Sequence, residues 1–305
     1  MRKILFFTEH MWAFGSIHTG LSKYLFAHGV NADILNWSIS YQLGEMEYIS
    51  NAYDFFVTTP PGLQTPGLQT LSTYGIPYDR IILVAHAQWD LLLTIQTLGG
   101  VDAFNEVHDY AVVSDDLKQK SKEFGITRIP KVVPVGVVAD DFVRPVPAAL
   151  ETIGYGGAIR NVNFAGEDIK RGYLVEQVAE RTETALVGGL HYHYFGMPSF
   201  YESVDAVMMS STEESVGLPM LEAACAGRLT LGTPAGYYRE NAGPSGGIML
   251  PLPEDEYMDE AVRQIEFYKA NPDAYQERCS RIQDYARRHY DWSNHIGAWA
   301  ELLKG

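Results

Sequence analysis

Short apolar runs alternate with helical patterns along almost all of this chain, and that alternation limits the folds open to it. In the first half, apolar runs predict buried parallel strands at residues 3–8, 32–36, 54–58, 80–85 and 110–113. Amphipathic stretches, such as residues 20–28 and 115–124, separate these runs. Repeated strand–helix alternation favours a doubly wound α/β sheet with helices on both of its faces.

The alternation stops at residues 138–150 and then starts again. This segment has little periodicity and includes Pro145 and Pro147, and because proline interrupts both helices and strands, we predict a linker here. The second block predicts strands at 152–155, 185–187, 206–209, 229–231 and 247–250, and helices at 171–181, 217–226, 258–269, 273–289 and 293–304. We therefore expect two Rossmann-like doubly wound domains facing an interdomain cleft, where ligands commonly bind.

The composition limits the classes of function. With 46% hydrophobic residues, the 305-residue chain can bury the cores of two ordinary domains. Its net charge of −15 makes nucleic acid and anionic membranes unfavoured partners, although a locally basic groove can override the net sign. Its apolar runs are only strand-length, and the first of them meets Glu9 and His10 too early for a signal peptide. We therefore expect no stable membrane insertion.

The chain has few cysteines. Cys225 and Cys279 are the two cysteines, and neither belongs to a CxxC pair or a His–Cys cluster. We therefore expect neither a disulfide framework nor a zinc site. We expect a reducing, cytoplasmic compartment.

The most informative segment is residues 213–224, where Glu214 and Glu222 flank a Gly-Leu-Pro sequence. Proline suits the first turn of a helix, which places Glu214 in the preceding loop and Glu222 in the second turn. Backbone N–H groups of Gly217 and Leu218 at such a helix N-terminus suit a diphosphate. Glu222 can then accept hydrogen bonds from ribose hydroxyls, and Glu214 can face a sugar. On spacing alone, an amphipathic helix with two solvated glutamates is the simpler interpretation.

Four segments, in the expected order, resemble retaining GT-B glycosyltransferases of family 4. Residues 214–223, E-S-V-G-L-P-M-L-E-A, are similar to the family pattern E-G-F-G-L-P-x-x-E-A. Residues 205–211 resemble its D-v-f-v-x-P-S strand, residues 136–145 its N-G-V-D-x-x-x-F-x-P linker, and residues 288–293 its F-s-W helix start. The resemblance covers essentially the whole chain. It implies an acceptor domain at 1–145, a nucleotide-sugar donor domain at 146–290, and a C-terminal helix at 291–305 that packs back on the first domain.

The resemblance also implies the reaction. It is a retaining transfer from a nucleotide diphosphate sugar, such as a UDP-sugar, with neither a cofactor nor a required divalent metal. The sequence does not identify the acceptor, which can be a glycan, a metabolite or a modified base of phage or viral DNA.

Family members place a basic pair on the donor phosphates, and this chain offers three cations for that role. Arg160 follows the first strand of the second domain, and Lys170 and Arg171 precede Gly172. Fixed cations stabilise the negative charge that develops on a nucleotide-diphosphate leaving group. The intervening loop is longer than usual, so either Lys170 or Arg171 can be the second phosphate cation. Ordinary surface cations are the alternative interpretation.

The segment after the first strand opens a helix and carries aromatic residues. Gly15 allows a close backbone approach to a phosphate or sugar, but the segment is not a G-x-G-x-x-G fingerprint, which disfavours a nicotinamide cofactor. The resemblance places a glycine-rich loop here and implies donor contacts from Gly15 and Ser16. Trp12, Phe14 and His18 become candidates for the acceptor site. Packing is an equal alternative for the two aromatic residues.

His86 ends the fourth predicted strand, at the sheet edge where ligands bind in doubly wound folds. The resemblance implies that it touches the donor sugar, which makes His86, Glu214 and Arg160 the candidate catalytic residues. A core histidine is the alternative. The remaining implied donor contacts are Val216 beside the glycine of the Gly-Leu-Pro, and Phe195 and Gly196, which resemble the family's base-contacting turn.

Two other classes share these features in part. Nucleotide-sugar 2-epimerases have the same architecture and bind UDP-sugars, but they lack Gly-Leu-Pro between the two glutamates. A non-catalytic sugar-nucleotide-binding protein is disfavoured because the candidate catalytic side chains are all present. The transferase is therefore the favoured interpretation.

Overall fold

The chain forms two compact α/β units in a computed structural model that describes residues 1–9, 12–60, 70–97, 100–162, 166–214 and 216–305. Unit 1 comprises Met1–Gly136 and Trp292–Gly305, and unit 2 comprises Val137–Asp291. Each unit is built around its own parallel sheet.

The sheet of unit 1 has six parallel strands in the order β2-β1-β3-β4-β5-β6. They are β1 Arg2–Thr8, β2 Val30–Asn36, β3 Phe55–Thr58, β4 Ile81–Ala85, β5 Asp109–Val112 and β6 Lys131–Val132. Strand β2 lies on one side of β1, and β3 and the later strands lie on the other side. The strand order therefore reverses between β1 and β3. In open parallel sheets, ligands bind outside the carboxyl ends of the strands at such a reversal.

Five helices in the described part of unit 1 precede its last strand. They are α1 Trp12–Leu25, α2 Leu43–Ala52, α3 Gln88–Thr97, α4 Ala103–Glu106 and α5 Asp115–Glu123. In α1, the buried residues Ile17, Leu21 and Leu25 recur at four-residue spacing and form its core-facing stripe. Strand β4 is buried along its whole length, as expected for a parallel strand covered on both faces.

The sheet of unit 2 has five parallel strands in the order β11-β10-β9-β7-β8. They are β7 Thr152–Tyr155, β8 Ala185–Gly188, β9 Ala206–Met209, β10 Leu229–Gly232 and β11 Ile248–Met249. When the strands are numbered from β7, the strand order of this sheet is the same as that of the first five strands of unit 1. The reversal of strand order therefore lies between β7 and β9.

Seven helices accompany the described part of the second sheet. They are α6 Ala139–Phe142, α7 Gly172–Arg181, α8 Met197–Glu202, α9 Leu218–Cys225, α10 Tyr238–Ser245, α11 Glu254–Ala270 and α12 Pro272–His289. The prediction of two doubly wound parallel α/β domains is confirmed.

The predicted linker at 138–150 is not a free connection. It contains helix α6 and is hydrogen-bonded to the end of α12. The Val137 N–H donates to the Tyr290 carbonyl oxygen at 2.9 Å, and the Ala139 N–H donates to Asp291 Oδ2 at 3.1 Å. The compact units therefore divide at 136/137, whereas the sequence placed the boundary at 145/146.

The C-terminal segment belongs to unit 1. Its helix α13, Ile296–Lys304, brings the Trp299 indole N–H to the Pro134 carbonyl oxygen at 2.8 Å. The Arg2 guanidinium donates to the Leu303 carbonyl oxygen at 3.2 Å. Across the described ranges, no helix is long and apolar enough to cross a bilayer.

Candidate functional site

Three segments of unit 2 converge at the reversal between β7 and β9. Gly156, directly after β7, lies so close to the start of α9 that a Cβ there would be 2.4 Å from Pro219 Cβ. Gly189, directly after β8, lies so close to Gly156 that a Cβ there would be 3.1 Å from its Cα. The glycines therefore allow the ends of β7 and β8 to meet the N-terminus of α9.

A charged cluster occupies this edge. The Lys170 ammonium donates to Glu214 Oε1, and the Ser211 hydroxyl donates to the same oxygen at 2.7 Å. The Lys170 and Glu214 side chains are 21% and 17% exposed, so the ion pair is reachable from solvent. Its electrostatic interaction is consequently stronger than that of a fully solvated pair.

The neighbouring cation, Arg171, points away from this edge. It is buried, and its backbone has the left-handed φ of 47°. Its Nε donates to the Ser210 carbonyl oxygen at 2.9 Å and its Nη1 to the Leu252 carbonyl oxygen at 2.7 Å. Nη2 is buried without a hydrogen-bond partner in the described part of the chain. The structure thus separates the two predicted cations: Lys170 lies at the edge and Arg171 points into unit 2.

Asp168 organises the loop that carries the predicted cations. Its Oδ1 accepts from the backbone N–H groups of Asn161 and Lys170, both at 3.1 Å. Burial raises the pKa of Asp168, but the N–H groups of Asn161, Lys170 and Arg171 and the nearby Arg160 guanidinium lower it below its ordinary value. Arg160 itself is exposed. Both Arg160 and Lys170 are therefore available as cations on the same loop.

The start of α9 has the local structure that the sequence predicts. Gly217 precedes the helix with a φ of 68°, which favours glycine, and proline occupies the first turn. Val216 and Leu218 are buried on either side of it. The partial positive charge of the helix N-terminus lies at the same edge as Gly156.

Glu222, in the second turn of α9, is only 3% exposed. Its Oε2 accepts a hydrogen bond from the Tyr201 hydroxyl of α8 at 2.7 Å. Burial and the adjacent carboxylate both raise the pKa of Tyr201. The two glutamates of the motif therefore have different environments: Glu214 lies at the open edge beside a cation, and Glu222 lies inside against a tyrosine.

The sequence did not indicate several side chains that shape this edge. The Tyr155 hydroxyl donates to the Lys170 carbonyl oxygen at 3.2 Å, and the Ser210 hydroxyl donates to the same oxygen at 2.8 Å. Ser210 and Ser211 belong to the segment that resembles the family strand, which was the available signal. Tyr201 lies in a short helix that no periodicity revealed.

An exposed aromatic cluster follows β8. Phe195 is 71% exposed, and its ring centroid lies 4.0 Å from that of Tyr194 and 5.3 Å from that of His193. Gly196 ends this 3-10 turn and precedes α8. The predicted base-contacting turn thus exposes the Phe195 ring to solvent.

In unit 1, the structure brings together three predicted residues, Phe14 and His18 of α1 and His86 after β4. The ring centroid of Phe14 lies 5.1 Å from that of His86 and 6.2 Å from that of His18, and the two histidine centroids are 6.1 Å apart. Both histidines are buried. Burial lowers the pKa of His86 to about 3, so its ring is neutral near pH 7.

Buried polar atoms lie at the ends of three neighbouring strands of unit 1. Neither ring nitrogen of His86, after β4, has a hydrogen-bond partner among the described residues. The same is true of the hydroxyls of Thr8, which ends β1, and Thr59, which follows β3. Because buried polar groups in proteins are normally paired, such a group of atoms marks a candidate binding position.

The region around Gly15 differs from the prediction. It was expected in a glycine-rich loop, but the structure places Gly15 and Ser16 inside α1, so the loop assignment is wrong. Helix α1 begins at Trp12, in the segment after the first strand that was predicted to open a helix. Gly15 is buried and Ser16 is half-buried, and the side chain of Trp12 lies outside what the structure describes.

The structure also gives the setting of the cysteines and acidic groups. Cys225 and Cys279 are buried free thiols. Within the described ranges, no group of three or more His, Cys, Asp or Glu side chains is placed to hold a metal ion.

No family model matches the sequence, and no curated protein matches it. Solved structures do match. HepE from Anabaena, in complex with UDP and glucose, is 14% identical, with all of both chains covered and a TM-score of 0.66. Sucrose-phosphate synthase from Thermosynechococcus elongatus is 10% identical, with 100% of this chain and 98% of that chain covered and a TM-score of 0.70.

A third match is an alpha-glucosyltransferase in complex with UDP-glucose and DNA containing an abasic site. It is 11% identical, with 99% of each chain covered and a TM-score of 0.67. At these identities the likeness shows the fold, and it extends over the whole chain. The protein therefore has the GT-B fold, with two Rossmann-like units, that its sequence predicted.

Proposed function

We propose that this protein is a retaining glycosyltransferase that uses a nucleotide diphosphate sugar and requires no divalent metal. The observation that carries the proposal is the Lys170–Glu214–Ser211 cluster beside the N-terminus of α9, at the strand-order reversal of unit 2. A diphosphate needs fixed positive charge, and a sugar needs acceptors for its hydroxyl groups. This edge supplies both.

Lys170 and Arg160 hold the donor phosphates in this proposal. Both lie on the loop organised by Asp168, and the backbone N–H groups of Gly217 and Leu218 complete the anion site. Arg171 supports the loop from inside through two carbonyl oxygens. Arriving phosphate oxygens replace Glu214 as the partner of the Lys170 ammonium.

The freed Glu214 carboxylate then accepts hydrogen bonds from the sugar, with Ser211 fixing its orientation. We assign the ribose hydroxyls to Glu222 and the base to Phe195 and Gly196, with Val216 lining the donor. The exposed Phe195 ring supplies a face on which a planar base can stack.

Unit 1 contributes neutral groups. We assign His86 to hydroxyls of the transferred sugar, Gly15 and Ser16 to the donor, and Trp12, Phe14 and His18 to the acceptor. A neutral imidazole can donate one hydrogen bond and accept another, which suits hydroxyl groups.

The chemistry follows from these assignments. The bond between the anomeric carbon and the phosphate oxygen breaks, and the acceptor oxygen attacks from the same face. The departing phosphate takes the acceptor proton. Lys170 and Arg160 stabilise the charge that develops on the leaving nucleoside diphosphate, which is the role metal ions have in other transferases.

Other features support a cytoplasmic enzyme with a small-molecule or glycan acceptor. The buried free thiols fit a reducing compartment. The charge of −15 disfavours nucleic acid, so a DNA base ranks below glycans and metabolites as the acceptor.

A donor screen tests the proposal. Thermal shift with UDP-, ADP- and GDP-sugars in EDTA identifies the ligand that raises the melting temperature. We expect one to do so, because HepE and the alpha-glucosyltransferase were solved with UDP or UDP-glucose. NMR of the product should then show an unchanged anomeric configuration. Epimerised donor formed without an acceptor would identify an isomerase instead.

A further inference from the structure

Asp90, in the first turn of α3, is a fully buried carboxylic acid. Its Oδ2 accepts from the backbone N–H of His86 at 2.7 Å and from that of Ala87 at 3.0 Å. These belong to two of the three peptide groups that connect β4 to α3. One carboxylate oxygen therefore fixes the backbone on which the His86 ring is mounted.

This arrangement is costly for stability alone. Asp90 Oδ1 is buried without a hydrogen-bond partner in the described part of the chain. Burial raises the pKa of Asp90 to about 7, partly offset by the two N–H groups. An asparagine could accept the same hydrogen bonds without a buried charge. The two hydrogen bonds to the backbone at residues 86 and 87 partly offset this cost, and they tie the Asp90 side chain to the His86 backbone.

The His86 ring depends on that backbone for its placement. Its nitrogens have no hydrogen-bond partner in the described ranges, and its ring contacts with Phe14 and His18 are packing contacts. A shift of the 86–87 peptides would therefore move the imidazole directly. Small displacements of a group that touches the substrate carry large costs in rate.

We propose that Asp90 is a positioning residue for His86. Its carboxylate holds the backbone N–H groups of His86 and Ala87, and the position of this backbone sets the position of the His86 ring. The proposal rests on the proposed contact between His86 and the sugar. Asp90 itself touches neither donor nor acceptor.

The chain offers a matched control. Asp205 Oδ2 likewise accepts from two consecutive backbone N–H groups, those of Glu151 at 2.9 Å and Thr152 at 2.8 Å. This clamp lies at the start of β7 in unit 2, at the opposite end of that strand from the candidate site. Removing either aspartate releases two backbone donors, but only Asp90 holds a candidate catalytic residue.

The test compares Asp90→Ala, Asp90→Asn, Asp205→Ala, His86→Ala and the Asp90→Ala/His86→Ala double variant. UDP-glucose is the probe donor, and UDP release to water is the rate. We expect Asp90→Ala to lower kcat by up to about tenfold, no more than His86→Ala does, with a smaller change in KM. Asp90→Asn should restore most of the rate because its amide oxygen can accept the same bonds. Asp205→Ala should lower stability but leave the rate near that of the wild type.

The double variant isolates the mechanism. If Asp90 acts through His86, the double variant should turn over no more slowly than His86→Ala alone. Additive losses would overturn the proposal. If His86→Ala leaves the rate unchanged, it is the proposed role of His86 that fails.

An NMR measurement that does not depend on activity tests the inference even if His86 proves to have no role in the reaction. In carbon-13 histidine-labelled protein, His86→Ala identifies the Cε1–Hε1 signal of His86. Asp90→Ala should shift or broaden that signal, whereas Asp90→Asn and Asp205→Ala should leave it nearly unchanged. An unchanged His86 signal in folded Asp90→Ala protein would show that the carboxylate does not position the ring.

Discussion

The two units share one strand order but differ in charge at the position where that order reverses. In unit 1 the carboxyl ends of the strands hold neutral groups, the hydroxyls of Thr8 and Thr59 and the ring of His86. In unit 2 the same position holds the Lys170–Glu214 ion pair. Under the proposed function, the fold sets where the ligand binds, and the residues that follow each strand set which part of the ligand binds there.

The contrast suits the two ends of a nucleotide diphosphate sugar. Phosphates need cations, whereas sugar hydroxyls are well served by neutral donors and acceptors. Variants that separate the charged edge from the neutral edge therefore test the comparison.

The largest effect is expected at the charged edge. Lys170→Ala removes a fixed cation and should lower turnover by on the order of 10²-fold or more, and Arg160→Ala by about 10²-fold. Lys269→Ala is the matched control, because this part-buried lysine donates to the Thr182 carbonyl oxygen elsewhere in unit 2. Steady-state kinetics in EDTA checks the result. Equal losses in Lys170→Ala and Lys269→Ala would mean that the effect is general destabilisation.

Arg171→Ala sharpens this comparison because Arg171 is buried, so its removal is expected to lower stability rather than to remove a phosphate contact. Its guanidinium holds two backbone carbonyl oxygens, so the variant should lower the melting temperature more than Lys170→Ala does. A fully stable Arg171→Ala protein that had lost nucleotide binding would instead restore Arg171 as a direct phosphate ligand.

Next in size is the effect at Glu222. If its carboxylate holds the ribose, Glu222→Ala should weaken UDP affinity by about tenfold or more. Glu222→Gln keeps an acceptor for Tyr201 and should preserve the fold while still weakening UDP binding. Calorimetric titration measures the affinity, and Tyr201→Phe is the control for the internal hydrogen bond. Unchanged affinity in folded Glu222→Gln and Glu222→Ala would confine Glu222 to a structural role.

The neutral edge should respond differently. His86→Ala should lower turnover by about tenfold while leaving nucleoside-diphosphate affinity nearly unchanged, since its proposed partner is the sugar. The exposed His28 provides a control substitution. Loss of UDP affinity in His86→Ala, measured by calorimetry, would contradict the division of labour between the units.

The smallest expected effect is the net contribution of His86 and Asp90 to the pH dependence of wild-type stability, because these two buried groups act in opposite directions. The pKa of His86 is lowered to about 3, so its contribution is present above its ordinary value of 6.5 and is lost as pH falls. The pKa of Asp90 is raised to about 7, so its contribution is largest below 3.8 and declines as pH rises. Between about pH 4 and 6.5 the two slopes oppose each other.

Removing one partner should reveal the other. Asp90→Asn should make the free energy of unfolding rise with pH across that window, by at most about 1.4 kcal/mol per pH unit, and His86→Ala should make it fall. Urea denaturation at several pH values measures both slopes. Parallel profiles for the wild type and both variants would show that neither group titrates as its burial implies.

The sequence predicted ten of the eleven described strands, because buried parallel strands are continuous apolar runs, but it missed the two-residue strand β6. Strand β4, for example, is predicted at 80–85 and observed at Ile81–Ala85. The sequence also predicted that α9 starts at the Gly-Leu-Pro segment, with proline in the first turn. These features depend on residues that are neighbours along the chain.

Other parts of the site depend on contacts that sequence spacing does not encode. Lys170 and Arg171 are adjacent, yet the left-handed backbone at Arg171 sends their side chains in different directions. Glu222 differs from Glu214 because Tyr201, from another helix, covers it. Asp90 offered no motif, and its role emerged only from its two hydrogen bonds to the backbone.

The central claim is that the edge of unit 2 binds a nucleoside diphosphate through protein cations rather than through a metal. Calorimetric titration of UDP, ADP and GDP into the protein in EDTA tests it most directly, with Lys170→Ala alongside the wild type. The account predicts one site for one of the three in EDTA, weakened tenfold or more in Lys170→Ala. Binding that disappears in EDTA and returns with Mn²⁺, or that Lys170→Ala leaves unchanged, would contradict it.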